Sequence, residues 1–275
     1  ADLAGRDIPI IFKKETPDKL GGLALKHLTA YAPNFAEFAR ALELPGAKSL
    51  PVKPETIDAL ADSLEGQVNL TPNWISATVY QRVANKLATE AIEDQRLDFE
   101  DGYGARANEE EDGHAISAAM ELAGGVKENL LPPFIGIRIK SLTEETKRRS
   151  IRTLDLFLST FADQGVSLPD PFFITLPKVT SPEQVSALLT CVELLEERCA
   201  FPEGHIKIEL MIETIQSIIS PDGVNGIPAL IAAGKGRVTS AILGTFDYTA
   251  SCNIASHYQD HRHPSADFAR QMMQV

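Results

Sequence analysis

The sequence has few of the residues that mark several common classes of protein. It contains three cysteines in 275 residues, Cys191, Cys199 and Cys252, and no two of them form a C-x-x-C pair. An odd count without that spacing argues against a disulfide framework and a zinc knuckle, and favours a reducing, cytoplasmic compartment. No apolar stretch reaches the roughly 18 residues of a membrane span. The short run Ile8–Phe12 is not typical of a signal peptide.

Basic residues are also scarce. The chain has 26 Lys and Arg against 38 Asp and Glu, a formal net charge of −12. Because this charge repels phosphate groups, we expect neither nucleic acid nor a membrane surface as a partner. An anionic metabolite would need a cation or a local arginine at its site. The hydrophobic content of 44% is enough for a folded core, in one large domain or two smaller ones.

Short apolar runs recur from residue 67 onward. Five of them begin at residues 97, 134, 172, 206 and 238. A strand, a crossover helix and two loops need about 30 residues or more, so this spacing predicts βαβ units with parallel strands. The predicted strands, with one earlier run included, are Val68–Leu70, Leu97–Phe99, Phe134–Ile139, Phe172–Leu176, Ile206–Met211 and Val238–Leu243.

The first 66 residues have a different pattern. One β-like run, Ile8–Phe12, is followed by predicted helices at Lys19–Tyr31, Pro33–Leu44 and Pro54–Leu64. We therefore predict a mainly helical extension or cap over residues 1–66, and an α/β catalytic domain with about six βα units over residues 67–275.

Charged side chains stand at the carboxyl ends of the predicted strands, where parallel α/β folds carry their functional residues. Glu213 and Asp247 are one βα unit apart, which puts them on neighbouring strands about 5 Å apart. Two carboxylates at that separation suit Mg²⁺. Arg138 supplies a planar fork for a carboxylate. The alternative is a structural network of salt bridges.

Five short motifs stand in order at the ends of the predicted strands. They are Asp98-x-Glu100-Asp101, Ile137-Arg138-Ile139, Leu176-Pro177-Lys178-Val179, Ile212-Glu213-Thr214 and Gly244-x-x-Asp247. Together they resemble a known family, the citrate lyase β-subunit-like carbon–carbon lyases, and within it a less characterised aldolase-like branch. The resemblance covers residues 67–275, and malate synthases share similar stretches.

The resemblance implies a fold, a (β/α)8 TIM barrel of the pyruvate/phosphoenolpyruvate group. That barrel has eight strands and six are predicted here. Either N-terminal elements such as Ile8–Phe12 complete the barrel, or its last two strands lie beyond this sequence.

The resemblance also implies roles for individual residues. Glu213 and Asp247 are the expected ligands of Mg²⁺ or Mn²⁺, and Arg138 the expected anchor of a substrate carboxylate. The remaining expected site residues are Glu100 and Asp101 near the metal, the loop amides of Gly102, Gly244 and Thr245 near the substrate, and Lys178 paired with the carboxylates. Gly102 also fits a simple turn.

The implied activity is that of a metal-dependent carbon–carbon lyase or aldolase, acting through a stabilised enolate on a small 2-oxo or hydroxy acid, with a coenzyme A thioester as one form. The alternatives are a malate-synthase-like Claisen condensation and a non-catalytic metabolite-binding subunit. A homo-oligomer is typical of the family. The general base is open: His257, His261 and His263 follow the sixth predicted strand, either on a surface loop or closing over the site.

Overall fold

The computed structural model describes residues 4–7, 9, 12–66, 68 and 70–274, which form two compact units. The first unit is Glu15–Glu93, and the second joins the segment up to Lys14 to the residues from Asp94 onward. The helix Pro72–Thr89, which the sequence division placed with residues 67–275, lies in the first unit. Separate domains at 1–66 and 67–275 stay a prediction. Within the described ranges, no helix combines the length and apolarity needed to cross a bilayer.

The first unit is helical. Asn34 begins its second helix, because its side-chain oxygen accepts hydrogen bonds from the backbone N–H groups of Ala36 and Glu37. The three helices predicted in this region are confirmed, with Pro33–Leu44 shortened at both ends. The α-helices are α1 (Thr16–Tyr31), α2 (Phe35–Ala41), α3 (Pro54–Leu64) and α4 (Pro72–Thr89). Their core consists of Phe35, Ala36, Ala39, Ala47, Leu50 and Ile57.

The second unit is a parallel sheet with helices between its strands. Its strands are β1 (Ala4–Asp7), β2 (Asp94–Asp98), β3 (Phe134–Arg138), β4 (Phe172–Leu176), β5 (Ile206–Ile212) and β6 (Val238–Leu243). Its α-helices are α5 (Asn108–Glu128), α6 (Lys147–Ala162), α7 (Pro182–Arg198), α8 (Ile215–Ile218), α9 (Ile227–Ala233), α10 (Thr245–Ser251) and α11 (Pro264–Gln274).

The strand order follows the chain from β1 to β6, and each neighbouring pair is parallel. When every right-handed crossover leads to the next strand on the same side, all the connecting helices lie on one face of the sheet. In a doubly wound sheet the strand order reverses direction, and helices cover both faces. The fold is therefore mixed α/β and compatible with a TIM-barrel-like winding. Among the described residues β6 pairs with β5 alone, so the complete (β/α)8 barrel stays a prediction.

Three predicted strands need correction. The strand predicted at Leu97–Phe99 is β2, which begins earlier, at Asp94, with polar residues and ends at Asp98. Val68 and Leu70 lie in irregular backbone and are largely exposed, so the apolar run there is not a strand; Asn69 between them lies outside the described residues. In Ile8–Phe12, positions 8, 10 and 11 also lie outside them, while Pro9 is in a turn and Phe12 is irregular. The N-terminal strand lies earlier, at Ala4–Asp7, where it pairs with β2.

The two faces of the sheet differ in chemistry because successive strand side chains point to opposite sides. On the helix-covered face, side chains such as Leu97, Ile137 and Ile174 are fully buried in one apolar cluster. The other face is polar. Strand register aligns Asp98, Arg138, Thr175, Glu209 and Ser240 in a row across β2 to β6.

Glu196, at the end of α7, ties that helix to the beginnings of two strands. Its carboxylate accepts two hydrogen bonds from Arg237, both at 2.7 Å, and one from the backbone N–H of Ile206 at 2.8 Å. A further bond comes from the N–H of Gly204. Burial raises the pKa of Glu196, but these hydrogen bonds outweigh it and hold the pKa below the usual 4.5. Glu196 is therefore a buried, charged residue that connects α7 to the starts of β5 and β6.

We predict that Glu196→Gln lowers the free energy of unfolding at pH 7 by about 3 kcal/mol, because Arg237 loses its counter-charge. A carboxylate whose pKa is lower in the folded protein than in the unfolded chain stabilises the folded protein at pH values above its unfolded pKa. This stabilisation is lost as the pH falls through the pKa of the folded state. Urea unfolding of wild type and variant should therefore differ more at pH 7 than at pH 3. Glu197→Gln, on the exposed side of α7, is the control. An equal difference at both pH values would contradict this account.

Candidate functional site

Four carboxylates converge where β2, β4, β5 and β6 end, and a lysine ammonium lies among them. The Nζ of Lys178 is 2.7 Å from Glu100 Oε1, 2.8 Å from Asp101 Oδ2 and 3.2 Å from Asp247 Oδ2. It is 3.9 Å from Glu213 Oε1. We call the four acidic residues the carboxylate cluster. The structure thus brings together the acidic residues singled out in the sequence, with Lys178, which the resemblance paired with them, at their centre.

Local backbone geometry positions two members of this site. Lys178 has φ +50°, a left-handed conformation that is uncommon for a residue with a side chain. In that conformation its N–H donates to Glu213 Oε1 at 2.7 Å. Gly244, the residue after β6, lies against Glu213. A Cβ atom at position 244 would lie 2.5 Å from Glu213 Oε2. Position 244 therefore needs glycine for space.

The cluster carries more negative charge than its one ammonium neutralises. Burial raises the pKa of Glu213 to about 8, although Lys178 acts in the opposite direction. Burial also raises the pKa of Glu100. For Lys178 burial lowers the pKa, but hydrogen bonds to Asp101 and Glu100 outweigh it and leave the pKa above its usual value. The carboxylates therefore keep Lys178 charged, while burial favours the protonated form of Glu213.

Arg138 lies beneath the cluster and is held by Asp98. Its Nε donates to Asp98 Oδ1 at 2.7 Å, and its Nη2 donates to the other oxygen of the same carboxylate. Its Nη1 is 3.4 Å from Glu100 Oε2 and 3.5 Å from Met211 Sδ. One edge of the fork is thus engaged inside the protein, and the Nη1 edge is directed toward the cluster. Its role as a substrate anchor stays a prediction.

Asp98 is the site residue to which the sequence analysis gave no role. Besides Arg138, it accepts hydrogen bonds from the backbone N–H of Glu100 at 2.9 Å and of Gly102 at 3.2 Å. It therefore shapes the loop that carries Glu100 and Asp101. The available signal was an aspartate at a strand end followed by a glycine turn, since aspartate side chains commonly accept from the next backbone N–H groups.

The loop residues predicted to bind substrate are partly engaged within the protein. The N–H of Gly102 donates to Asp98, and the N–H of Gly244 donates to the carbonyl of Ile212 at 3.0 Å. Thr245 is buried, and its hydroxyl lies 3.3 Å from His261 Nδ1. Their contribution to substrate binding stays a prediction.

Of the three histidines after β6, His261 contacts the first residues of α10, the helix that carries Asp247. Its ring centroid lies 5.0 Å from that of Phe246, and its Nδ1 faces Thr245. His263 instead hydrogen-bonds to Ser265. The spacing in the sequence did not distinguish among them.

The cluster fits a divalent metal in its chemistry. Carboxylate oxygens are the ligands that Mg²⁺ and Mn²⁺ prefer. The distances of 2.7–3.2 Å around Nζ are those of an ammonium, whereas Mg²⁺ requires about 2.0–2.1 Å. Over the described ranges of the chain, no group of three or more His, Cys, Asp or Glu side chains already has metal-binding geometry. The donor types therefore suit such a metal, but the position among them is taken by the Lys178 ammonium.

Comparison with protein families shows where the chain belongs. Residues 9–275 match the model of a family described as a domain of unknown function, DUF6986. The chain is a member of the DUF6986 family. No curated protein matches its sequence significantly.

The fold of this DUF6986 chain is similar to that of solved structures. One is the crystal structure of a citrate lyase from Burkholderia xenovorans LB400, with a TM-score of 0.51 and 18% sequence identity. The similarity covers 70% of this chain and 55% of that one, so the chain spans about half the length of that protein. The resemblance found in the motifs is thus matched at the level of the fold.

We predict that Asp98→Asn lowers the free energy of unfolding by about 3 kcal/mol, because the buried Arg138 loses the carboxylate that binds it at two points and keeps only the longer contact with Glu100. Urea unfolding measures the change, with Asp163→Asn on the exposed end of α6 as the matched control. A loss no larger than that of the control would show that the pair with Arg138 does not hold the site together.

Proposed function

We propose that this DUF6986 chain is a divalent-metal-dependent carbon–carbon lyase or aldolase acting on a small 2-oxo or hydroxy carboxylic acid, free or as a coenzyme A thioester. The observation that carries the proposal is the convergence of Glu100, Asp101, Glu213 and Asp247 at the carboxyl ends of parallel strands. The fold shared with a protein described as a citrate lyase supports the same reaction class.

In this proposal Glu213 and Asp247 hold Mg²⁺ or Mn²⁺. When bound, the metal supplies positive charge that stabilises the enolate-like charge developing as a carbon–carbon bond breaks or forms. Glu100 and Asp101, which share Lys178 with these ligands, are the groups available to orient water or accept a proton. The buried side of Glu213 is fixed by the N–H of Lys178.

Arg138 would bind the substrate carboxylate through its Nη1 edge. Asp98 holds the guanidinium at two points, so Arg138 is oriented before a substrate arrives. A metal and an oriented arginine together would let a chain of net charge −12 accept an anion.

We predict that Glu213→Gln weakens binding of Mg²⁺ or Mn²⁺ by at least about tenfold, because a charged oxygen ligand is lost. Calorimetric titration of the metal into wild type and variant measures this. Pyruvate or oxaloacetate is then titrated with and without Mg²⁺, and we expect binding that depends on the metal. Glu203→Gln, on the exposed loop before β5, is the control at the opposite end of the same strand.

Metal-independent ligand binding that is equal in wild type and Glu213→Gln would overturn the metal site. Binding of metal and ligand without any turnover would instead identify the non-catalytic metabolite-binding protein. Product analysis with oxaloacetate and related hydroxy acids distinguishes these outcomes.

A further inference from the structure

Lys178 stands where the divalent cation of the proposed function would bind. Its Nζ lies within 3.2 Å of oxygens from Glu100, Asp101 and Asp247, and 3.9 Å from Glu213. These are all four members of the carboxylate cluster. An ammonium and a metal ion cannot both take this position, because they would use the same oxygens and repel each other.

The backbone of Lys178 is fixed while its side chain has a route to solvent. The N–H is held by Glu213 at 2.7 Å. The side chain is 34% exposed, whereas that of Glu213 is 1% exposed. Rotation about the side-chain bonds of Lys178 can therefore remove the ammonium from the cluster without breaking the backbone contact. Its four methylene groups make such movement easy for lysine.

We propose that Lys178 is the resident cation of this site in the metal-free protein, and that a divalent metal binds by displacing the ammonium into solvent. This inference rests on the proposed function. It makes Lys178 a positioning residue, which holds the four carboxylates together until the metal arrives. Binding of the metal and binding of the Lys178 ammonium to the cluster are then two coupled equilibria, and each weakens the other.

The first test is calorimetric titration of Mn²⁺ alone into three proteins: wild type, Lys178→Met and Lys178→Arg. We expect Lys178→Met to bind Mn²⁺ about tenfold or more tightly than wild type, a size typical of coupled sites. Methionine is likewise unbranched and flexible, is one heavy atom shorter, and carries no charge. Lys178→Arg keeps the charge, so its affinity should stay at or below that of wild type. It is the matched control.

The second test uses the wild-type protein, because Lys178→Met leaves the carboxylate cluster without its central cation and could fail to fold. Lysine labelled with ¹³C at the ε-carbon reports the surroundings of each ammonium by NMR, and the signal missing from Lys178→Arg assigns Lys178. On addition of Mg²⁺ we expect this signal to move to the position of solvent-exposed lysines. If Lys178→Met does not fold, this measurement decides the proposal.

The outcomes separate the inference from the proposed function. Equal Mn²⁺ affinity in wild type and Lys178→Met, or a Lys178 signal that stays unchanged when Mg²⁺ is bound, would overturn the displacement while leaving the metal site intact. Absence of metal binding in all three proteins would overturn both. Tighter binding by Lys178→Met together with a released Lys178 signal would support both.

Discussion

The ion cluster around the Lys178 ammonium is the constraint on which the rest of the site depends. Buried or half-buried carboxylates repel one another and are costly to desolvate unless a cation lies between them. A single ammonium within 4 Å of four carboxylates satisfies this requirement only in part. The loops after four strands must therefore meet at one point, and the parallel sheet provides that meeting point.

The polar face of the sheet supports this cluster from below. Asp98 pairs with Arg138 and shapes the loop that presents Glu100. Further along the same row of the sheet, Glu209 accepts hydrogen bonds from Thr175 and Ser240, at 2.7 and 2.8 Å. Such paired groups leave little freedom for the side chains above them, which is the condition for a preorganised site. Some of the acidic residues of the chain thus serve to organise the ends of the strands.

The sequence predicted β3 to β6 to within one residue at each end, because buried parallel strands are continuous apolar runs at regular spacing. It missed the first half of β2, which begins with polar residues at Asp94 rather than at Leu97. It misplaced a strand at Val68–Leu70, since a short apolar run without a partner strand is indistinguishable from an exposed loop. The βαβ spacing also predicted Glu213 and Asp247 on neighbouring strands. The strands β5 and β6 are neighbours, but Glu213 directly follows β5 and Asp247 lies in α10, after β6. The central position of Lys178 depends on a left-handed backbone at that residue, which no spacing rule predicts. The role of Asp98 likewise depends on three-dimensional contacts with Arg138.

The central claim is that the carboxylate cluster is a divalent-cation site. The most direct measurement is anomalous diffraction from crystals of the protein grown with Mn²⁺ and pyruvate. The account predicts one Mn²⁺ peak coordinated by Glu213 and Asp247, with Lys178 turned away from the cluster. A map with Mn²⁺ bound elsewhere, or with Lys178 still among the four carboxylates at saturating Mn²⁺, would contradict it.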